Sequence, residues 1–233
     1  MIPFLFLLTI LGVTLLASKI FNRQVGFLAA FLAAASSWSK SLISLGETRI
    51  FLIIIFLTYG LWLVLKIKPK LALYFLIFTS LLAFLILNPD LDFWLRHGFS
   101  SAPTFVPIIH DYINRCHQAF PISVCRLIYN KPAFFIQQYL LNFSSHFSTD
   151  SLFITSGREN LFLAPFFYLG LFSILLSWQK NLLLTAWIFL YPLMVSFTSG
   201  FNNFHSTLGW ALLPIIAALG ISQTIKSISD IKK

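Results

Sequence analysis

Runs of about twenty residues without a charged side chain recur along this chain, and they decide most of what it can fold into. Residues 1–18, 71–89 and 160–179 contain no Asp, Glu, Lys or Arg. Crossing a hydrocarbon core of ~30 Å takes about 20 apolar residues in a helix. Inside lipid every backbone N–H and C=O needs a partner within the protein, which only helices and closed barrels supply. These runs are too long and too evenly apolar for the alternating pattern of barrel strands. Of the 233 residues 58% are hydrophobic and only 10% charged, so a soluble globular domain is excluded as the main reading. The expected fold is all-α, a polytopic membrane helix bundle.

The apolar periodicity predicts about seven spans, near residues 3–19, 25–44, 50–66, 71–88, 161–178, 181–199 and 207–224. They divide the chain into a four-helix membrane segment (1–88), a polar-aromatic insert (89–160) and a three-helix membrane segment with a short tail (161–233). The second span is the weakest, because Ser36, Ser37, Ser39, Lys40 and Ser41 crowd its C-terminal half. The first lacks the charged start and small-residue cleavage site of a signal peptide, and reads as a membrane helix.

Orientation follows from where Lys and Arg fall in the short connections. Lys19 and Arg23, then Lys66, Lys68 and Lys70, then Lys180, then Lys226, Lys232 and Lys233 occupy one set of connections. The alternate set holds only Arg49 in the 45–49 turn and no Lys or Arg in 200–206. The first set is expected in the cytoplasm, which places the N-terminus and the insert outside and the C-terminus inside a cell (plasma) membrane. The net charge of +9 thus serves topology and contact with anionic lipid headgroups. No basic run lies on a soluble domain, so a nucleic-acid partner is not expected.

The insert carries the chemistry-bearing side chains. Residues 108–118 and 132–143 are expected to form short interfacial helices, with Pro132 in the first turn of the second. Cys116 and Cys125 flank Pro121. An oxidising compartment permits a disulfide there, and a reducing one leaves two free thiols. His97, His110, His117 and His146 have spacings that match no zinc pattern. Asp90 and Asp92 form a D-x-D that would suit a divalent cation or a general base, though solvated carboxylates at a membrane boundary explain it as well. Asn142-Phe143-Ser144 has the N-glycosylation pattern.

One stretch is more specific. Residues 126–163 read Arg126-Leu-Ile-Tyr-Asn-Lys-Pro, then Tyr139-Leu-Leu-Asn-Phe-Ser-Ser-His146-Phe-Ser148, then Leu152-Phe153, Gly157 and Glu159-Asn160. This resembles the outer loop of the polyprenyl-phosphate-sugar-dependent membrane glycosyltransferases, the superfamily of protein O-mannosyltransferases and the lipid A aminoarabinose transferase. His205 followed by Pro214, Ala217 and Gly220 is similar to a late segment of that family, and Trp38 through Glu47 to an early one. There are departures: Leu208 stands where the family has Arg, Ser37 where it has Pro before the Trp, and Thr149 where Pro is common.

The resemblance implies transfer of a sugar from a polyprenyl-phosphate donor at the extracytoplasmic face. It implies Arg126, Arg158 and Arg96 as cations for the lipid phosphate, and Tyr139, His146, His205 and Glu47 as further substrate-binding residues. Arg115 and Lys131 are additional outer cations, and Trp94 and Phe147 are aromatic candidates. Family enzymes hold their catalytic Asp in the first outer loop. Here no outer acidic residue precedes Glu47, so the chain is expected to lack that portion and no catalytic base is assigned. A divalent cation is the only cofactor considered. A non-catalytic scaffold or accessory subunit of the same fold is the main alternative. A transporter is disfavoured, because no ionisable residue other than Lys40 approaches mid-span.

Overall fold

The computed structural model describes residues 2–87, 105–155, 158–196 and 207–231. Every element among these residues is helical. In chain order they are α1 (Ile2–Ile20), α2 (Arg23–Ala35), α3 (Ser37–Leu45), α4 (Thr48–Ile67), α5 (Ala72–Leu87), α6 (Phe105–His117), α7 (Ile122–Ile128), α8 (Lys131–Ser145), α9 (Ala164–Leu176), α10 (Leu182–Val195), α11 (Thr207–Trp210) and α12 (Leu212–Ile231). A π-helical turn at Asp150–Thr155 and a 3-10 turn at Arg158–Leu163 join α8 to α9. Four helices are long and apolar enough to cross a membrane: Ile2–Ile20, Thr48–Ile67, Pro69–Ile86 and Leu212–Asp230. Arg23–Ala35, Leu161–Leu176 and Leu182–Val195 are shorter apolar helices.

The expected span at 25–44 is not one helix. Ser36 is extended (φ −74°, ψ 155°) and divides it into α2 and α3, so the first membrane segment holds five helices rather than four. The cause is local hydrogen-bond competition, since serine hydroxyls offer the backbone an alternative to the helix ladder. Ser39 lies buried at the break and donates its hydroxyl to the carbonyl of Ala33. With 13 residues, α2 reaches only about 20 Å. Asn22 starts it by accepting from the Val25 N–H at 3.0 Å, a cap worth ~1 kcal/mol. Gly46 closes α3 in the left-handed conformation (φ 66°), which lets the chain turn straight into α4.

The first half of α12 is the axis of the bundle. Residues 209–220 are buried without interruption, the condition of a helix that is apolar all round. It packs against α9 and α2, while α1 packs on α2 and α4. Phe6 meets Phe51 and Trp210 edge-on, each at 6.4 Å between centroids, so α1, α4 and α11 share one end of the bundle. Beyond residue 224, the expected limit, α12 continues to Ile231 through residues whose exposed polar side chains suit a solvated helix. Outward, α5 presents Tyr74 and Phe78, 70% and 61% exposed, as a lipid-facing surface would.

Close backbone approach fixes the α9–α12 crossing. A Cβ on Gly220 would lie 1.8 Å from the Phe166 carbonyl oxygen, and one on Gly170 would lie 2.0 Å from that of Ile216. Between helices in lipid, van der Waals contact and interhelical hydrogen bonds replace the hydrophobic drive, so such small-residue contacts carry association. The Gln223 amide adds one such bond, donating to the Ser173 hydroxyl. Gly220→Leu should therefore force the two helices apart and cost about 1–3 kcal/mol. Thermal unfolding in detergent checks this, and an unchanged midpoint would contradict the crossing.

Candidate functional site

Where the insert meets the bundle, polar side chains of α8 close the end of α10. The last four carbonyls of any helix lack intrahelical donors. In α10 the Tyr139 hydroxyl donates to the Leu193 carbonyl at 3.0 Å, and the Asn142 amide donates to that of Ser196 at 3.1 Å. Tyr139 and Asn142 are three apart and so share one face of α8. That helix is set by Asn130, whose side chain accepts from the Ala133 N–H at 2.8 Å, with Pro132 in the first turn. Asn142 is also the acceptor position of the glycosylation pattern, and here its amide serves the docking.

His146 follows at the C-cap of α8 and is fully buried. Its Nδ1 lies 2.9 Å from the Asn142 carbonyl, so the proton sits on that nitrogen. The ring meets Tyr191 of α10 edge-to-face, at 5.5 Å and 72°. Burial holds the imidazole pKa below its usual value, against the opposing pull of the Asn142 and Phe143 backbone carbonyls. Burial also raises the Tyr139 phenol. The Tyr191 ring in turn leaves no room for a side chain at Gly209, where a Cβ would come within 2.6 Å of it.

A second clamp lies just beyond. The Tyr168 hydroxyl, on α9, donates to the Phe147 carbonyl at 2.8 Å and lies 3.0 Å from the Thr149 hydroxyl. Phe153 is buried edge-on against Phe167 at 5.6 Å. The segment after α8 is thus tied to α9 as firmly as α8 is tied to α10.

The outer part of the insert is a stapled helical hairpin. A disulfide joins Cys116 to Cys125 with Cα atoms 5.7 Å apart, linking α6 to α7. Tyr112 and Tyr129 stack at 5.5 Å. Arg115 pairs with Asp111 at 2.8 Å, both well exposed, so the pair adds little to stability. The helices run 105–117 and 131–145, against the expected 108–118 and 132–143, and α7 was not anticipated. Its seven residues are too few to show a period.

Of the substrate-binding candidates, Tyr139 and His146 come together at the α8–α10 junction. Arg126 lies exposed in the last turn of α7. Arg158 opens the 3-10 turn that leads into α9. Glu47 is exposed at the start of α4, where its side chain makes no cap. Arg96, His205, Asp90, Asp92, Trp94 and His97 lie outside the described residues. Among the described residues no group of three His, Cys, Asp or Glu side chains is arranged to hold a metal. Sequence reasoning missed Asn142, Tyr168 and Tyr191 as members of the site. For the two tyrosines a signal was available, since a phenol near the end of an apolar helix needs a hydrogen-bond partner. No family model, curated protein or solved structure matches the chain.

Two outcomes follow from this geometry. Tyr139→Phe combined with Asn142→Ala should release α8 from α10, each lost bond costing about 0.5–1.5 kcal/mol. Hydrogen exchange would register this as lost amide protection confined to the α8 region, and intact protection would refute the docking. The second concerns pH. With its folded pKa below the unfolded value of ~6.5, His146 is protonated first in the undocked chain. Docking is then complete above ~6.5 and weakens as pH falls below it. Protection of α8 should drop on acidification, and His146→Phe should flatten that response.

Proposed function

We propose that the chain is an integral-membrane glycosyltransferase, moving a sugar from a polyprenyl-phosphate donor to an acceptor at the extracytoplasmic face of the cell membrane. In this reading the chain crosses seven times, with the insert outside and the C-terminus in the cytoplasm. The observation that carries it is the docking of α8 on the end of apolar α10. It supports the reading because Arg126 precedes the docked helix and Arg158 follows it in sequence, on the side where a lipid-linked donor would present its phosphate.

The chemistry needs few parts. An acceptor oxygen attacks the anomeric carbon, the bond from that carbon to the phosphate oxygen breaks, and the polyprenyl phosphate leaves as an anion. Arg126 and Arg158 neutralise the leaving charge, a task suited to a guanidinium because it stays charged and forks onto phosphate oxygens. The acceptor proton passes to a carboxylate. Asp111 is already paired with Arg115, so Asp150 and Glu47, both exposed, are the better bases among the described side chains. A divalent cation is not required by this scheme.

A second reading, an accessory subunit that holds donor or partner without catalysis, is favoured by one feature. Tyr139 and His146 are both engaged in docking the insert. Reconstitution with a labelled polyprenyl-phosphate sugar separates the two. Transfer that falls roughly a hundredfold in Arg126→Ala or Arg158→Ala supports the enzyme. Donor retention without transfer by the wild-type chain supports the accessory role. Unchanged turnover in a well-folded arginine variant removes that residue from the site.

A further inference from the structure

At the other end of α10 the fold builds a mixed pocket from distant parts of the chain. Lys19 and Ile20 come from the end of α1, Leu65 from the last turn of α4, Lys180 and Asn181 from the turn before α10, and Leu184 from its first turn. The cavity is about 380 Å³. Both lysines are exposed, and among the described residues no carboxylate lines the space. Two other clefts, one between α4 and α5 and one along α9, have almost entirely apolar walls. Of these three clefts among the described residues, this one sets cationic heads over an apolar wall.

We propose that this pocket binds one anionic phospholipid, its phosphodiester between Lys19 and Lys180 and an acyl chain along Ile20, Leu65 and Leu184. Two ammonium groups beside a shared cavity repel each other in a low-dielectric setting, and an anion between them turns that cost into attraction. Basic pockets between membrane helices are suited to phosphate headgroups for this reason. Asn181 completes the polar rim. Its amide donates to the Ser177 hydroxyl at 2.7 Å, which fixes the turn that carries Lys180. The apolar wall selects a lipid over a soluble phosphate, because a free anion leaves Leu65 and Leu184 uncovered. The site is independent of sugar transfer, lying a helix length from His146.

Thermal unfolding of the delipidated full chain in detergent tests this, with phosphatidylglycerol, phosphatidylcholine or inorganic phosphate added. Phosphatidylglycerol is expected to raise the midpoint at concentrations where the other two do not. Lys19→Gln with Lys180→Gln should weaken that response roughly tenfold or more. Lys68→Gln with Lys226→Gln removes the same charge outside the pocket and should leave it intact. Equal loss in both pairs would mean diffuse surface charge and overturn the site. So would equal protection by inorganic phosphate or by phosphatidylcholine, or an unaltered response in the pocket variant.

Discussion

The rest of this structure depends on satisfying backbone hydrogen bonds where water is scarce. An unpaired amide or carbonyl in hydrocarbon costs several kcal/mol, on the order of the whole stability of a domain. Helical interiors meet the demand by themselves, and some hydroxyls within them fold back onto the ladder. Thr58 and Thr79 donate to the carbonyls four residues earlier at 2.8 Å, so neither polar group needs an outside partner. The difficulty is confined to breaks and ends. At the α2–α3 break Ser39 supplies the donor. At the end of α10 the carbonyls of Leu193 and Ser196 lie where the helix supplies no further donor. Side chains of the insert supply it there.

That reverses the usual relation between a loop and its scaffold. The insert does not simply rest on the bundle. By closing the end of α10 it removes a desolvation cost that α10 would otherwise carry, and it is positioned by the same bonds. His146 adds shape to this contact. A neutral ring locked by Asn142 and edged onto Tyr191 fixes the turn from which Phe147 and Thr149 reach Tyr168. The two arginines lie on either side of this junction in sequence, Arg126 on α7 and Arg158 before α9.

The helical class was legible because charge-free runs near membrane thickness have few physical alternatives. The division of residues 25–44 was partly legible, since four serines flagged its weak half, yet no rule of length marks Ser36 as the point of failure. The 3-10 start before α9 cuts into the expected span at 161, although Pro165 in the first turn of α9 is a start signal the sequence did carry. The site was harder still. Tyr139 and His146 were singled out through family resemblance and chemistry, but their partners, the carbonyl of Leu193 and the ring of Tyr191, lie roughly fifty residues away in an apolar helix. Main-chain carbonyls carry no residue identity, so composition cannot announce them. Trp210 and Gly209 matter through packing against α1 and Tyr191, which only the tertiary arrangement reveals.

The two ends of α10 then acquire opposite characters. Its N-terminal end opens on lysines and an apolar wall, and its C-terminal end is closed by neutral hydrogen bonds and aromatic edges. A charged cluster tolerates water and lipid phosphate and needs no tight packing, whereas unsatisfied carbonyls need donors at fixed distances. That difference explains why the cationic end is assembled from short connections and the other end requires a folded insert. With 14 residues α10 spans about 20 Å between the two.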